Sequence, residues 1–95
     1  MILHVTDAKY LDDYRVKVSF NDGKIGTVDL SQSLTGTVFN PLQDKKVFSQ
    51  LKVDKVLDTI VWPNGVDFAP EYLYFQAFKD LPELKNKFRE WGYIA

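Results

Sequence analysis

The chain has 95 residues, enough for one small domain with a modest core and too few for two. Hydrophobic residues make up 45% and aromatic residues 15%, a composition that argues against disorder and supplies the apolar surface folding needs. Twelve basic against thirteen acidic residues leave a net charge of -1, with no global attraction to phosphate backbones or anionic lipid, and the lack of cysteine removes disulfides, thiolate metal sites and Cys nucleophiles together.

Residues 2 to 11 are apolar at Ile2, Leu3, Val5, Ala8, Tyr10 and Leu11, a pattern that fits a strand with one irregularity near Thr6-Asp7. Neither a basic leader nor a long apolar run opens the chain, so no signal peptide or membrane span is expected, and a cytoplasmic location follows by default. Asp12-Asp13 marks a turn. Tyr14, Val16, Val18 and Phe20 then alternate with Arg15, Lys17, Ser19 and Asn21, the cleanest period-two signal in the sequence. Asn21-Asp22-Gly23-Lys24 reads as a hairpin turn. The returning strand runs from Ile25 to Leu30, and because Ile25 and Val28 cannot share a face of a regular strand, a bulge is expected at Gly26. These stretches together predict a three-stranded antiparallel meander.

Ser31 to Asn40 reads as a loop pinned to the core by Leu34, Val38 and Phe39. Pro41 and Asp44 suit the opening of a short helix that puts Val47, Phe48 and Leu51 on one face. Val53, Val56, Leu57, Ile60, Val61 and Trp62 supply one or two strands, with a corner at Asp58-Thr59.

The densest local instruction lies in Trp62-Pro63-Asn64-Gly65-Val66-Asp67-Phe68-Ala69-Pro70-Glu71. Pro63 presets the second position of a tight turn, Asn64 tolerates the third, and Gly65 supplies a positive φ. Trp62 before proline is pushed towards extended backbone, so a second hairpin is expected here, followed by a helix that starts near Pro70. Tyr72, Leu73, Tyr74, Phe75, Ala77 and Phe78 are apolar almost all round, which predicts a helix covered on most sides. A last helix is expected over residues 80 to 92, capped by Asp80 and Glu83 with Pro82 in its first turn. Its apolar seam is Leu81, Leu84, Phe88 and Trp91, Glu83 can pair with Lys87, and Gly92 is its stop.

The fold expected is thus α+β: an N-terminal three-stranded meander plus a second hairpin, packed with two or three short helices in one domain, residues 1-95. The core spans 1-78 and the terminal helix 80-92.

Residues able to do chemistry are few. His4 is the only histidine, and without cysteine beside it a zinc site is not expected, since zinc wants about four ligands, commonly N or S donors. No G-x-S-x-G elbow, phosphate-binding glycine loop or calcium loop occurs. Asp67 and Glu71 lie four apart at the expected helix start, where they could share a face and act as an acid–base pair or hold a cation. The plainer reading is that they complement free N–H groups and the helix dipole. Arg15, Lys17 and Lys24 could form a basic meander face, and Lys79, Lys85, Lys87 and Arg89 a basic flank of the last helix, although a solvated charged surface explains both. Only one helix is expected at the C-terminus, so no helix-turn-helix is read there. Trp62, Phe68, Tyr72, Tyr74, Phe75, Phe78, Phe88, Trp91 and Tyr93 crowd the last third, and any that do not fit inside mark a partner surface.

Phe20-Asn21-Asp22-Gly23-Lys24 with Val28-Asp29-Leu30, then Phe39-Asn40-Pro41-Leu42, Phe48, and Trp62-Pro63-Asn64-Gly65-x-Asp67-x-x-Pro70-Glu71-x-Leu73-Tyr74, resemble a bacterial family of domains of unknown function, family 2442. The likeness covers most of the chain, to about residue 75. It implies an α+β domain with an antiparallel sheet, no known enzymatic activity and no known cofactor. Some relatives resemble this chain at the front and append a helix-turn-helix; others look like partners of a small neighbouring protein in toxin–antitoxin-type gene pairs. This chain departs from the pattern in ending on one helix rather than a two-helix DNA reader, and in carrying Asp58 where glycine is expected.

The reading is a non-enzymatic protein-interaction module, antitoxin-like, binding a protein partner or a second copy of itself, with no catalytic residue, cofactor, metal or membrane. Trp62, Pro63, Asn64, Gly65, Asp67, Pro70, Glu71 and Leu73 are its motif residues, structural or recognitional. The alternatives are a ligand-binding or enzymatic pocket near Trp62, Asp67 and Glu71, and a DNA-binding accessory domain, against which the charge balance argues.

Overall fold

A computed structural model describes residues 2-95. Strands β1 (Val5–Asp12), β2 (Arg15–Phe20) and β3 (Ile25–Asp29) form an antiparallel sheet in that order. Val16, Val18, Phe20 and Val28 face inward and are buried, as the alternation requires, while Arg15, Lys17 and Thr27 face water. The irregularity in β1 is a register shift between Val5 and Asp7, and a second lies between Tyr10 and Asp12.

β3 differs from its sequence reading. Its register with β2 is unbroken, with Val18 opposite Gly26 and Ser19 opposite Ile25, so Gly26 is not a bulge. The conflict between Ile25 and Val28 resolves the other way: Ile25 turns out to solvent and Gly26 faces inward, where Ala77 and Phe78 lie against it. A side chain was missing because another element needed the space.

After β3 the chain makes a 3-10 turn (Ser31–Ser33), a loop, and a second 3-10 turn (Asn40–Gln43) that contains Pro41. Helix α1 (Lys45–Phe48) follows, and the Asp44 carboxylate caps it by accepting from the Lys46 N–H at 2.9 Å. Phe48 is buried and Val47 half-buried, whereas Leu51 falls beyond the helix end. Strands β4 (Lys52–Asp54) and β5 (Thr59–Val61) form a separate two-stranded hairpin beside the start of β1. Here too the expectation needs correcting, because Val56 and Leu57 lie in the connecting turn and not in a strand.

Helix α2 (Pro70–Phe78) buries Leu73, Tyr74 and Phe78 and leaves none of its residues fully exposed. It lies along β3 on one side and is covered by the C-terminal segment on the other. That segment is a 3-10 turn (Pro82–Leu84) running into α3 (Lys85–Glu90), shorter than the expected helix over residues 80 to 92. The Asp80–Glu83 capping box does not form, and no side chain caps either piece. Pro82 is the cause: it holds Leu81 extended at φ -84, ψ 114, so an apolar residue occupies the cap position. Gly92 ends the helix as expected, at φ 84 with the Tyr93 N–H reaching back to the Phe88 carbonyl. Lys87 sits over the rings of Tyr74 and Trp91, at 5.5 and 5.7 Å from their centres.

Candidate functional site

The motif corner is built from its backbone outward. The Trp62 N–H donates to the Val66 carbonyl at 3.0 Å and the Gly65 N–H to the Trp62 carbonyl at 2.9 Å, closing the turn; Gly65 has φ 85. The Asn64 carboxamide oxygen accepts from the Val66 N–H at 3.3 Å, and Val61 bridges to Asp67. The Thr59 hydroxyl, buried, donates to the Phe68 carbonyl. Trp62 is buried between Phe48 and Phe68, and its indole N–H donates to the Phe48 carbonyl at 2.8 Å, joining the corner to the end of α1.

Beyond the corner, Pro70 takes the first position of α2, Glu71 lies in its first turn, and Leu73 is fully buried. The structure thus gathers Trp62, Val66, Phe68 and Leu73 into the core and leaves Pro63, Asn64, Gly65 and Asp67 in water. Asp67 stands in the bridged segment ahead of the helix, so helical spacing does not set it on one face with Glu71. No pocket opens beside them among the described residues.

The other sequence candidates are dispersed. His4 pairs with Asp58, Nε2 to Oδ2 at 3.5 Å, and its backbone is held by Asn21, whose carboxamide oxygen accepts the His4 N–H at 2.9 Å. The basic meander face is not assembled. Arg15 is engaged by Asp12 in a two-pronged pair, Nε to Oδ1 at 2.7 Å and the terminal nitrogen to Oδ2 at 2.6 Å, and this partner raises the guanidinium pKa and lowers the carboxyl's. Lys24 lies in the exposed turn ahead of β3, outside the paired strand residues. Lys17 stands opposite Lys9 instead, on a face that also carries Asp7, Asp29 and Asp12.

Residues 5-79 match a protein family described only as of unknown function, DUF2442. The chain belongs to this family. It is similar in fold to a solved crystal structure from Nitrosomonas europaea, of a protein named provisionally as DNA-binding, with a TM-score of 0.75 at 16% sequence identity. The match covers all of this chain and 64% of the Nitrosomonas chain, so this chain spans just under two-thirds of that protein's length. No curated protein matches the sequence.

What sequence reasoning missed is an exposed apolar end. The β4–β5 turn is firmly built: the Asp54 carboxylate accepts the N–H groups of Val56 and Leu57 at 2.8 and 3.0 Å, the Asp54 carbonyl accepts the Asp58 N–H at 2.7 Å, and Asp58 closes the turn at φ 58. Those two N–H bonds hold the Asp54 carboxyl below its usual pKa. The turn holds out Val56 at 88% exposure and Leu57 at 51%. The Asp58 carbonyl accepts the Val5 N–H at 2.9 Å, which brings the turn against the N-terminal segment, where Ile2 is 77% exposed. One sequence signal pointed here. Asp58 stands where the family resemblance leads one to expect glycine, and its left-handed backbone is the reason glycine suits the position.

No helix is long and apolar enough to cross a membrane, and no group of three or more His, Cys, Asp or Glu residues converges on a possible metal position among the described residues.

Proposed function

We propose that the chain is a non-enzymatic protein-interaction module, antitoxin-like in the sense that it serves as one member of a pair of small bacterial proteins. The observation that carries this reading is the ordered β4–β5 turn, which spends a carboxylate and a left-handed residue on displaying Val56 and Leu57 to water. Adjacent apolar side chains held out at an ordered turn suit a surface that another macromolecule covers. The motif supports the same reading from the other direction. Trp62, Gly65, Pro70 and Leu73 have folding roles in the corner and the helix start, which leaves the outer surfaces for recognition.

A second reading, DNA binding, takes its support from the name given to the Nitrosomonas protein of the same fold. The mixed charge of the outer sheet face, with Arg15 engaged by Asp12, weighs against it. Affinity purification of the tagged chain from its native host, followed by mass spectrometry, tests the first reading: one stoichiometric protein partner is expected. A strict monomer that brings down nothing overturns it, and retention on duplex DNA with a steep salt dependence moves the second reading to the front.

A further inference from the structure

Helix α2 is covered on one face by residues 81 to 93, and the way this strap is held differs from the way the rest of the fold is held. Strands β1, β2 and β3 are tied by a hydrogen-bonded ladder, and the N-terminal segment, the β4–β5 turn and the motif corner are fastened by backbone or side-chain bonds to distant parts of the chain. From Pro82 onward, every hydrogen bond found among the described residues stays within the strap: Trp91 to Lys87, Gly92 to Arg89, Tyr93 to Phe88, and Arg89 to Asn86 and Ala95. No ion pair ties it down either among the described residues.

Beyond the Leu81 N–H that donates to the Phe78 carbonyl at 3.0 Å at its root and Lys87 lying 5.5 Å over the Tyr74 ring, the strap stays in place by side-chain packing. Phe88 meets Phe75 edge to face at 5.0 Å, Tyr93 stacks on Phe75 at 4.8 Å, and Trp91 meets Tyr74 at 5.8 Å. Only Leu84 and Phe88 are buried, while Trp91 and Tyr93 are each 36% exposed. α3 has six residues and no side-chain cap, well below the roughly 12 to 15 at which an isolated helix holds itself in water, so its helicity depends on being docked. The segment leaves α2 through exposed Lys79 and Asp80, and the stretch shared with the family ends at Lys79.

We propose that α2 carries an exchangeable docking face: the strap comes off while the sheet stays folded, and the same strap from a second copy of the chain can take its place. The occupant is argued from what is seated there. The one sequence seen to fit the Tyr74 and Phe75 face is residues 81 to 93, with Leu84 and Phe88 as its anchors. A strap held mainly by packing and joined through a short exposed turn is the arrangement from which segments exchange between identical chains. This surface is separate from the β4–β5 turn, so it stands or falls apart from the function proposed above.

The test uses a fluorescent synthetic peptide of residues 80 to 95 and the full-length Phe88→Ala chain, whose own strap has lost its anchor. The peptide is expected to bind Phe88→Ala saturably, and to bind the wild-type chain at least about tenfold more weakly, because the tethered strap competes at high effective concentration. A peptide that itself carries Phe88→Ala should bind Phe88→Ala chain at least about tenfold more weakly than the natural peptide. Hydrogen exchange on the same Phe88→Ala protein should show the amides of β2 still protected and those of residues 85 to 91 not. Failure of the natural peptide to bind a Phe88→Ala chain with a protected sheet overturns the proposal. So does loss of protection in β2 together with the strap, since strap and sheet would then be one cooperative unit.

Discussion

Gly26 of β3 lies directly beneath Phe78 of α2: a Cβ built on Gly26 would stand 2.7 Å from the Phe78 Cε1 and 3.1 Å from the Ala77 Cβ. Helix and strand approach this closely only because position 26 has no side chain. Gly26→Ala is accordingly expected to destabilise the fold by about 1 to 3 kcal/mol through overpacking, and adding Phe78→Leu should recover part of the loss. Chemical denaturation of the two variants measures it. An unchanged midpoint for Gly26→Ala would mean that α2 does not sit where described.

The same contact shows how far the sequence can be read. The alternation of Val16, Val18 and Phe20 and the Asn21–Gly23 turn made the meander legible, because strand period and turn chemistry are local properties. The turn from Trp62 to Gly65 was legible for the same reason, but the second hairpin expected there is built one turn earlier, between β4 and β5, and after the corner only the Val61–Asp67 bridge forms. Gly26 was misread as a bulge because the demand for a small residue comes from a helix about fifty positions away in sequence. The capping box at Asp80 failed because Pro82 controls Leu81 more strongly than Asp80 can cap. Val56 and Leu57 looked like strand residues by composition, and only the Asp54 side chain and the left-handed Asp58 show that they are held out at a turn.

Trp62 connects the motif corner to α1 through a single buried donor. Trp62→Phe keeps most of the ring but removes the indole N–H, which leaves the Phe48 carbonyl without that donor. A loss of roughly 1 to 3 kcal/mol is expected for the broken bond alone, read from urea unfolding of the two proteins. If Trp62→Phe unfolds at the wild-type midpoint, the bond has no part in anchoring the corner.

At Asp58 the backbone, φ 58, penalises any Cβ. Asp58→Ala is therefore expected to be less stable than Asp58→Gly by about 1 kcal/mol, the cost of a left-handed alanine. Both variants lose the contact with His4, so the difference between them isolates the backbone. Equal stability of the two would place this residue outside the left-handed region.

Tyr74 donates to Asp22 at 2.8 Å, tying α2 to the β2–β3 turn. Partial burial pushes the Asp22 carboxyl upward, but bonds from the Lys24 N–H and the Tyr74 hydroxyl, together with the Lys24 and Lys87 charges, outweigh it, and its pKa lies below the usual value. A depressed folded-state pKa stabilises above the unfolded value of about 3.9 and the contribution is lost as pH falls through the folded value. Asp22→Asn should thus be less stable than wild type at pH 7, with the gap closing below about pH 4. Burial first, and Asp22 second, push the Tyr74 hydroxyl upward, so its contribution is present below about pH 10 and is lost as pH rises beyond that. Tyr74→Phe should remove this alkaline loss. A gap between Asp22→Asn and wild type that stays constant from pH 7 to pH 3 would contradict the assignment.

Val56 and Leu57 give the most direct check on the proposed role, because their exposure means that folding does not depend on them. The chain carrying Val56→Asp and Leu57→Asp together should unfold within about 0.5 kcal/mol of wild type, as surface substitutions do. The decisive measurement is quantitative recovery of the protein partner from the native host with this variant beside the wild-type chain. The partner captured by the wild type is expected to be absent from the equally stable variant, and its recovery in equal amount with both would contradict the account.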